Sequence, residues 1–458
     1  MPESQCFNDY HVDPEKASAD PTGRYSLNFV PYPGFLAPLR WGDGLSRAFR
    51  GRSAYQIGDS LLQAFDRVGP LHRRWGTPLE LEALRRNIAL FSRNIDQGPF
   101  LSPIGRFLLR RFMKAHLHNR ARTIAFYEGN RAFIESNGRY DAPLLVTGSF
   151  RSGTTLLQRL LTEDPNTRSP LTFELERTTP PRQAGQDPAL DPRVKKSAAT
   201  MALLTRLAPG FVEKIAESHL WSPLEREESL PYCQIHNGLS IMNAPGAGRD
   251  FLRSMCQPDV ADALLKYERN FFKMLDAYLP ARSHWTNKSP AYALYFGKIF
   301  QHYPNARVVV THRHPGKTMA SACRLFESWL VPFDLSGSLD KVRLADIITD
   351  VFRSLYLTPL TYRQGNPDRE GQIIDCRYLD LVSDPIGTVK SIYERFALEY
   401  SPAFEKRMTS YLKANWQGKH GRHKYSNEEY GIDLQRLYDQ NREYFEYYRY
   451  RIQPNDDD

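Results

Sequence analysis

One stretch, LLVTGSFRSGTTLLQRLL at residues 144–161, constrains the fold of this chain more than any other. Leu144, Leu145 and Val146 make a short, continuous apolar run of the kind buried on both faces of a parallel sheet. Leu156, Leu157, Leu160 and Leu161 then fall on one face of a helix, which Asp164 and Pro165 stop. Between the two lies a turn with glycines at 148 and 153. A glycine turn from a buried strand into a helix exposes backbone N–H groups at the helix N-terminus, which is an anion site by geometry and dipole. The spacing is that of a Walker A phosphate loop, yet Thr154 stands where the lysine belongs. In a nucleoside triphosphatase that lysine neutralises the β- and γ-phosphates and the next hydroxyl holds Mg²⁺. Here the cation is Arg151, inside the loop, with Ser152, Thr154 and Thr155 as hydroxyl donors. The competing reading of the stretch is a glycine-rich turn that holds no ligand.

The rest of the chain alternates in the same sense. Further strands are expected at His284–Lys288, Ala306–His312 and Gly371–Tyr378, each followed by a helical segment such as Pro385–Phe396. Strand–helix alternation predicts an α/β class: a three-layer P-loop-type fold with a mostly parallel central sheet. Before it, Leu81, Leu84, Ile88 and Phe91, and again Leu108, Leu109, Phe112, Leu117 and Ile124, recur at helical spacing. Two parts follow, an N-terminal arm with a helical extension over residues 1–140 and the α/β domain over 141–458. The Pro-, Gly- and aromatic-rich residues up to about 60 read as an ordered but irregular arm, and Asp456–Asp458 as a solubilising tail. Arg106, Arg110, Arg111, Arg120 and Arg122 read most simply as the solvated face of helices, with contact to an anionic ligand as the second possibility.

Composition narrows the partners. The 61 basic against 52 acidic residues leave a formal charge of +9, which favours an anionic partner. The basic residues are scattered, which weighs against nucleic acid and membrane surfaces. Five cysteines without CxxC or metal-like spacing suit a reducing compartment. The polar N-terminus lacks an apolar signal core, and no apolar run is long enough to span a bilayer. The expectation is a cytoplasmic protein without a membrane span.

A second signal is THRHPGKTMAS at 311–321. Arg313 at a strand end and Ser321 early in the next helix can converge on one phosphate from two sides; taken alone they could be a surface arginine and a packing serine. The strand ends in His312 and Arg313, with no acidic residue to hold Mg²⁺ in the manner of a Walker B segment. Two anion sites on neighbouring parallel strands imply a nucleotide with phosphates at both ends of its ribose.

These segments resemble the sulfotransferases that use 3′-phosphoadenosine 5′-phosphosulfate (PAPS). GSFRSGTT is similar to their 5′-phosphosulfate loop, which implies donor contacts for Arg151, Ser152, Gly153, Thr154 and Thr155. ARVVVTHRHPGKTMAS resembles the 3′-phosphate motif, at Arg313 and Ser321. CRYLDLVSDP is similar to the segment whose tyrosine lies near adenine, here Tyr378. WTNKSP resembles the catalytic lysine segment, at Lys288, and GKHGRHKYS a loop closing on the 3′-phosphate, at Gly421 and Arg422. The resemblance covers roughly residues 141 to 450, in order, and the helical region before it is similar to the broad bacterial and animal branch. It implies PAPS as co-substrate, PAP as product, no metal, and a small-molecule acceptor rather than nucleic acid.

One departure concerns the base. The slot two residues after the lysine, a histidine in the cytosolic branch, is Pro290, and position 292 is Tyr. AESHLWSPLEREESL offers His219, Glu225, Glu227 and Glu228 instead. His219 fits by intrinsic pKa, with Glu227 or Glu228 as rivals; equally, the glutamates could be a solvated helical face and His219 a packed or surface histidine. The expected reaction is transfer of a sulfuryl group to a hydroxyl or amine. Arg151, Thr154 and the loop amides stabilise the leaving 5′-phosphate, and Lys288 the charge near the transferring group. The rival functions are a P-loop kinase, a non-catalytic nucleotide-binding protein, and a binder of anionic membrane or nucleic acid through the arginine-rich helices. Phe173–Gln234, the region around residues 325–335, with Phe326, Trp329 and Phe333, and parts of the N-terminal arm read as acceptor-pocket segments for a hydrophobic or ring-bearing alcohol, or as core.

Overall fold

The computed structural model describes residues 37–50, 53–97, 101–207, 221–330, 340–415 and 426–454. His219, Phe333, Gly421, Arg422 and the Asp456–Asp458 tail lie outside the described residues. Four parallel strands form the central sheet: β1 (Leu144–Gly148), β2 (Thr286–Lys288), β3 (Arg307–His312) and β4 (Ile373–Arg377). Their order in space is β2-β1-β3-β4. The register pairs Leu144 with Arg307 and Gly148 with Thr311, so the last residue of β1 lies beside the end of β3.

Alternation along the strands sorts the layers. Leu144, Val146 and Val309 pack with Leu157, Leu160 and Leu161 of the Thr154–Leu161 helix and with Val389 and Ile392 of the Pro385–Arg395 helix. Leu145, Val308 and Val310 belong to the opposite core, with Met319, Ala322 and Cys323 of the Pro315–Leu330 helix. The sheet is therefore covered on both faces, the three-layer α/β arrangement that strand–helix alternation implies. The helix after β1 goes to one face and the helix after β3 to the other. Between such strands the chain parts, leaving a crevice at the carboxyl ends.

The N-terminal region is helical, chiefly Pro78–Gln97 and Pro103–Gly129, which bury Leu84, Ile88 and Phe91 and Leu109, Leu117 and Ile124. Its apolar residues run into the same core as β1 and β3. Two expectations are corrected here. The arm expected to be irregular to about residue 60 contains a helix at Ala37–Arg50 and the start of another at Gly58–Arg67. The first carries Gly42 and Gly44 and leaves Trp41, Leu45 and Phe49 exposed, so neither propensity nor core periodicity reveals it. The second correction concerns the arginines: Arg106 and Arg120 are 3% and 2% exposed and face inward, while Arg111 and Arg122 face solvent. Among the described residues no helix is long and apolar enough to cross a membrane, and Cys233, Cys256, Cys323 and Cys376 are free thiols.

Candidate active site

Each strand delivers a named residue at its carboxyl end. β1 leads into the 149–153 turn, β2 ends at Lys288, Arg313 follows β3, and Tyr378 follows β4. The turn after β1 takes its shape from its glycines. Gly148 has φ +136°, and a Cβ there would stand 2.3 Å from the carbonyl oxygen of Thr311. Gly153, at φ +97°, would press a Cβ to within 3.1 Å of the Tyr378 ring. Arg151 itself adopts φ +68°, a left-handed conformation that costs a non-glycine residue about 1 kcal/mol or more. Hydrogen bonds hold the turn in place. Ser152 Oγ donates to the Ser149 carbonyl at 2.6 Å and lies 2.5 Å from the Thr311 hydroxyl, which reaches the Thr147 carbonyl at 3.1 Å.

The predicted anion-binding side chains come together across β1 and β3. Arg151 Nε donates to Ser321 Oγ at 3.0 Å, and Arg313 Nη1 donates to the Arg151 carbonyl at 3.2 Å. The Arg313 guanidinium stacks on Tyr378, 3.9 Å from the ring centroid. Arg313 forms no ion pair among the described residues, and its buried Nε has no hydrogen-bond partner. The nearby acid on β4, Asp375, is already committed to His312 Nε2 at 2.8 Å and Arg363 Nη1 at 2.6 Å. Burial pushes Asp375 up, but those two partners outweigh it and hold its carboxyl near 2. Arg313 is thus held at the Arg151 carbonyl and the Tyr378 ring, with its buried Nε unused among the described residues.

Lys288 occupies the neighbouring position. It is 1% exposed, and its ammonium pairs with Glu228 Oε1 at 2.5 Å and contacts Thr155 Oγ1 at 3.4 Å. A buried ammonium requires such a counter-ion. The segment carrying Glu225, Glu227 and Glu228 is not the solvated helical face that its sequence allows. It runs alongside residues 170–173, with Thr172 N donating to the Glu225 carbonyl, Phe173 N to Pro223 and Glu227 N to Pro170. Those bonds distribute the three acids. Glu225 pairs with Arg159 at 2.9 Å, Glu227 turns inward and accepts the Glu228 N–H at 2.7 Å, and Glu228 precedes the Ser229–His236 helix and meets Lys288.

One carboxyl that the sequence does not single out lies next to this group. Glu176 accepts a hydrogen bond from Ser197 and interacts with the Tyr232 hydroxyl. Burial, opposed by Ser197 and Arg177 and reinforced by Glu227, raises Glu176 to about 7. No local motif marks it, because Ser197 and Tyr232 come to it from other segments. Of the expected pocket aromatics, Phe326 is core and packs against Phe150 at 5.3 Å, whereas Trp329 is half-buried and faces Trp221 at 6.1 Å. Among the described residues no group of three or more His, Cys, Asp or Glu side chains is arranged to hold a metal ion.

Comparison with known proteins agrees with the α/β fold. A family model described as "Sulfotransferase family" matches residues 143–402, more than half of the chain. The fold is similar to that of sulfotransferase STF9 from Mycobacterium avium, at 20% identity and a TM-score of 0.73, over 86% of this chain and 96% of that one. It is also similar to sulfotransferase STF1 from Mycobacterium tuberculosis H37Rv, at 20% identity and a TM-score of 0.66, over 89% and 98% of the two chains. No curated protein matches the sequence.

Proposed function

Because this chain belongs to the sulfotransferase family, we propose that it transfers the sulfuryl group of PAPS to a hydroxyl or amine of a small-molecule acceptor. The observation that carries the choice of donor is Arg313. A guanidinium with an unpartnered buried Nε, stacked on Tyr378 and bonded to the Arg151 carbonyl, is a fixed anion fork beside a phosphate-loop turn. Ser321 lies within the same group, and Gly153 brings the loop against Tyr378. These residues suit a nucleotide with an anionic group at each end and an aromatic base. PAPS supplies the activated sulfuryl group, linked through oxygen to its 5′-phosphate.

The chain's own residues have separate tasks. Arg313 and Ser321 bind the 3′-phosphate, while the loop amides with Arg151, Ser152, Thr154 and Thr155 bind the 5′ side. As the bond from sulfur to the phosphate oxygen breaks and the bond from sulfur to the acceptor oxygen forms, Lys288 stabilises the charge left on the phosphate. The proton leaves the acceptor for a carboxylate, and Glu228 is the acid in contact with Lys288. His219 is the alternative acceptor of that proton. Trp221 and Trp329, beside Tyr232, favour a ring-bearing or otherwise apolar acceptor.

Two measurements test this reading together. Titration calorimetry should show PAP bound more tightly than ATP–Mg²⁺. Labelled sulfate should pass from PAPS to at least one member of an acceptor panel with chelator present. Preference for ATP–Mg²⁺, with magnesium-dependent turnover, would replace it with a kinase; PAP binding without transfer across the panel leaves a nucleotide-binding protein.

A further inference from the structure

Five arginines are fully buried in the described residues: Arg106, Arg120, Arg168, Arg193 and Arg363. Four of them meet a carboxylate. Arg106 pairs with Asp96 at 3.3 Å, Arg168 with Glu174 at 2.7 Å, Arg193 with Asp191 at 2.7 Å, and Arg363 with Asp375 at 2.6 Å. Arg120, in the Pro103–Gly129 helix of the N-terminal region, meets none. Its Nε and Nη1 have no hydrogen-bond partner, and its guanidinium lies 4.9 Å from the centroid of the Tyr267 ring.

The surroundings deepen the deficit. Close enough to feel the charge of Arg120 are His72, His236, Tyr267 and Cys233. None of these is an anion at neutral pH, since burial raises the Tyr267 hydroxyl and the Cys233 thiol. Burial and then the guanidinium hold His72 down to about 3, and burial with His116 and Arg120 holds His236 well below its usual value. His236 is further fixed as a neutral ring by Asn119 at 3.0 Å and Tyr267 at 3.1 Å, and it stacks on His116 at 5.3 Å. Arg120 itself stays charged, with burial lowering it only to about 10. A buried, ionised group without a counter-charge carries a desolvation penalty, and an aromatic face returns only part of it.

We propose that Arg120 is the base of a small-anion site inside the helical region, filled by a chloride-sized inorganic anion or a small carboxylate. The ligand accepts from Nε and Nη1, donors that no described residue uses. His72, whose ring feels the charge of Arg120, lines a cleft of about 570 Å³ together with Asp66, Arg73, Glu82 and Arg85. Among the described residues Arg120 makes no hydrogen bond or ion pair with Arg151, Lys288, Arg313 or Glu228, so occupancy of its site is read in stability rather than in transfer.

The test is thermal unfolding of the full chain at constant ionic strength, with chloride exchanged stepwise for gluconate, and acetate exchanged for gluconate in a second series. The melting temperature should rise by about 2 °C and saturate in chloride, in acetate, or in both. The series that responds identifies the source of the anion. Arg122→Met, at an exposed arginine of the same helix, should keep the response, and Arg120→Met should lose it. An unresponsive parent protein, or an equal response in Arg120→Met, overturns the proposal and leaves the two donors to buried water. Should Arg120→Met fail to fold, crystals of the parent protein grown in bromide decide the matter. An anomalous peak beside the Arg120 guanidinium, or acetate density there in crystals grown in acetate, supports the site, and absence of both refutes it.

Discussion

The strand ends make two neighbouring half-sites that are built in different ways. The half around Arg151, Arg313, Ser321 and Tyr378 is a matter of backbone shape. Two glycines at positive φ and a run of short hydroxyl contacts set the loop, and Arg313 lies ready with an unused donor edge. The half around Lys288 is a matter of charge. A lysine 1% exposed, two inward glutamates and the raised carboxyl of Glu176 balance one another across segments that are distant in sequence. Shape fixes where an anion can lie, while the charge balance fixes what can happen to it. If the proposed function is right, damage to the first half appears in donor affinity and damage to the second in rate.

The sharpest test of that division is Lys288→Ala. Removing a preorganised donor to developing charge costs about 3–4 kcal/mol, a loss of 10²–10³-fold in kcat. PAP affinity should change little, and single-turnover transfer from PAPS with parallel PAP calorimetry reads both. A loss confined to PAP affinity would dissolve the distinction between the halves. Arg313→Ala is the mirror experiment. Losing hydrogen bonds to a charged ligand costs about 2–3 kcal/mol, so the Kd for PAP should rise about 30–160-fold while turnover at saturating PAPS stays within a few fold. Unchanged PAP affinity removes Arg313 from the donor site.

The two halves also differed in how far the sequence revealed them. GSFRSGTT and THRHPGKTMAS are contiguous, and their glycine and arginine positions follow from local backbone demands, so the loop and the strand ends are legible. All four strands are too, with bounds shifted by a few residues. The charge-balanced half is not. Glu225, Glu227 and Glu228 separate only because residues 170–173 hold that segment extended, and helical spacing gives no hint of it. Glu176 depends on Ser197 and Tyr232, a pairing that the fold alone creates. Sequence places Arg106 and Arg120 at the surface for a related reason: arginine usually faces water, and burial of these two is decided by neighbouring helices. The glycine-containing helix at Ala37–Arg50 hides from periodicity because its apolar side is exposed.

Glu176 carries a smaller prediction on the charge-balanced half. Its carboxyl is raised from 4.5 to about 7 in the fold, so between those values the folded state holds a proton that the unfolded state has lost. The associated stability is complete below about pH 4.5 and disappears as the pH rises through about 7. Glu176→Gln should remove this slope and gain on the order of 1–2 kcal/mol at pH 8 relative to the parent, read from urea unfolding at both pH values. An identical slope in both proteins would mean that Glu176 does not bind the proton. PAP affinity, governed by the other half, should be the same in both.

The smallest expected effect asks whether the shape-built half acts as one unit. Ser321 holds Arg151 through its Nε, and Arg313 holds the Arg151 carbonyl, so the two hold one residue from opposite ends. Ser321→Ala removes a single neutral partner, worth about 1 kcal/mol, and should raise the Kd for PAP about 5-fold. Independent contacts would add, making the double variant with Arg313→Ala weaker by the product of the two factors. Coupling through Arg151 predicts less than additive loss, with an interaction energy of at least about 0.5 kcal/mol in the double-mutant cycle. Strict additivity would mean that the arginine and the serine meet the ligand separately and that their link through Arg151 is incidental.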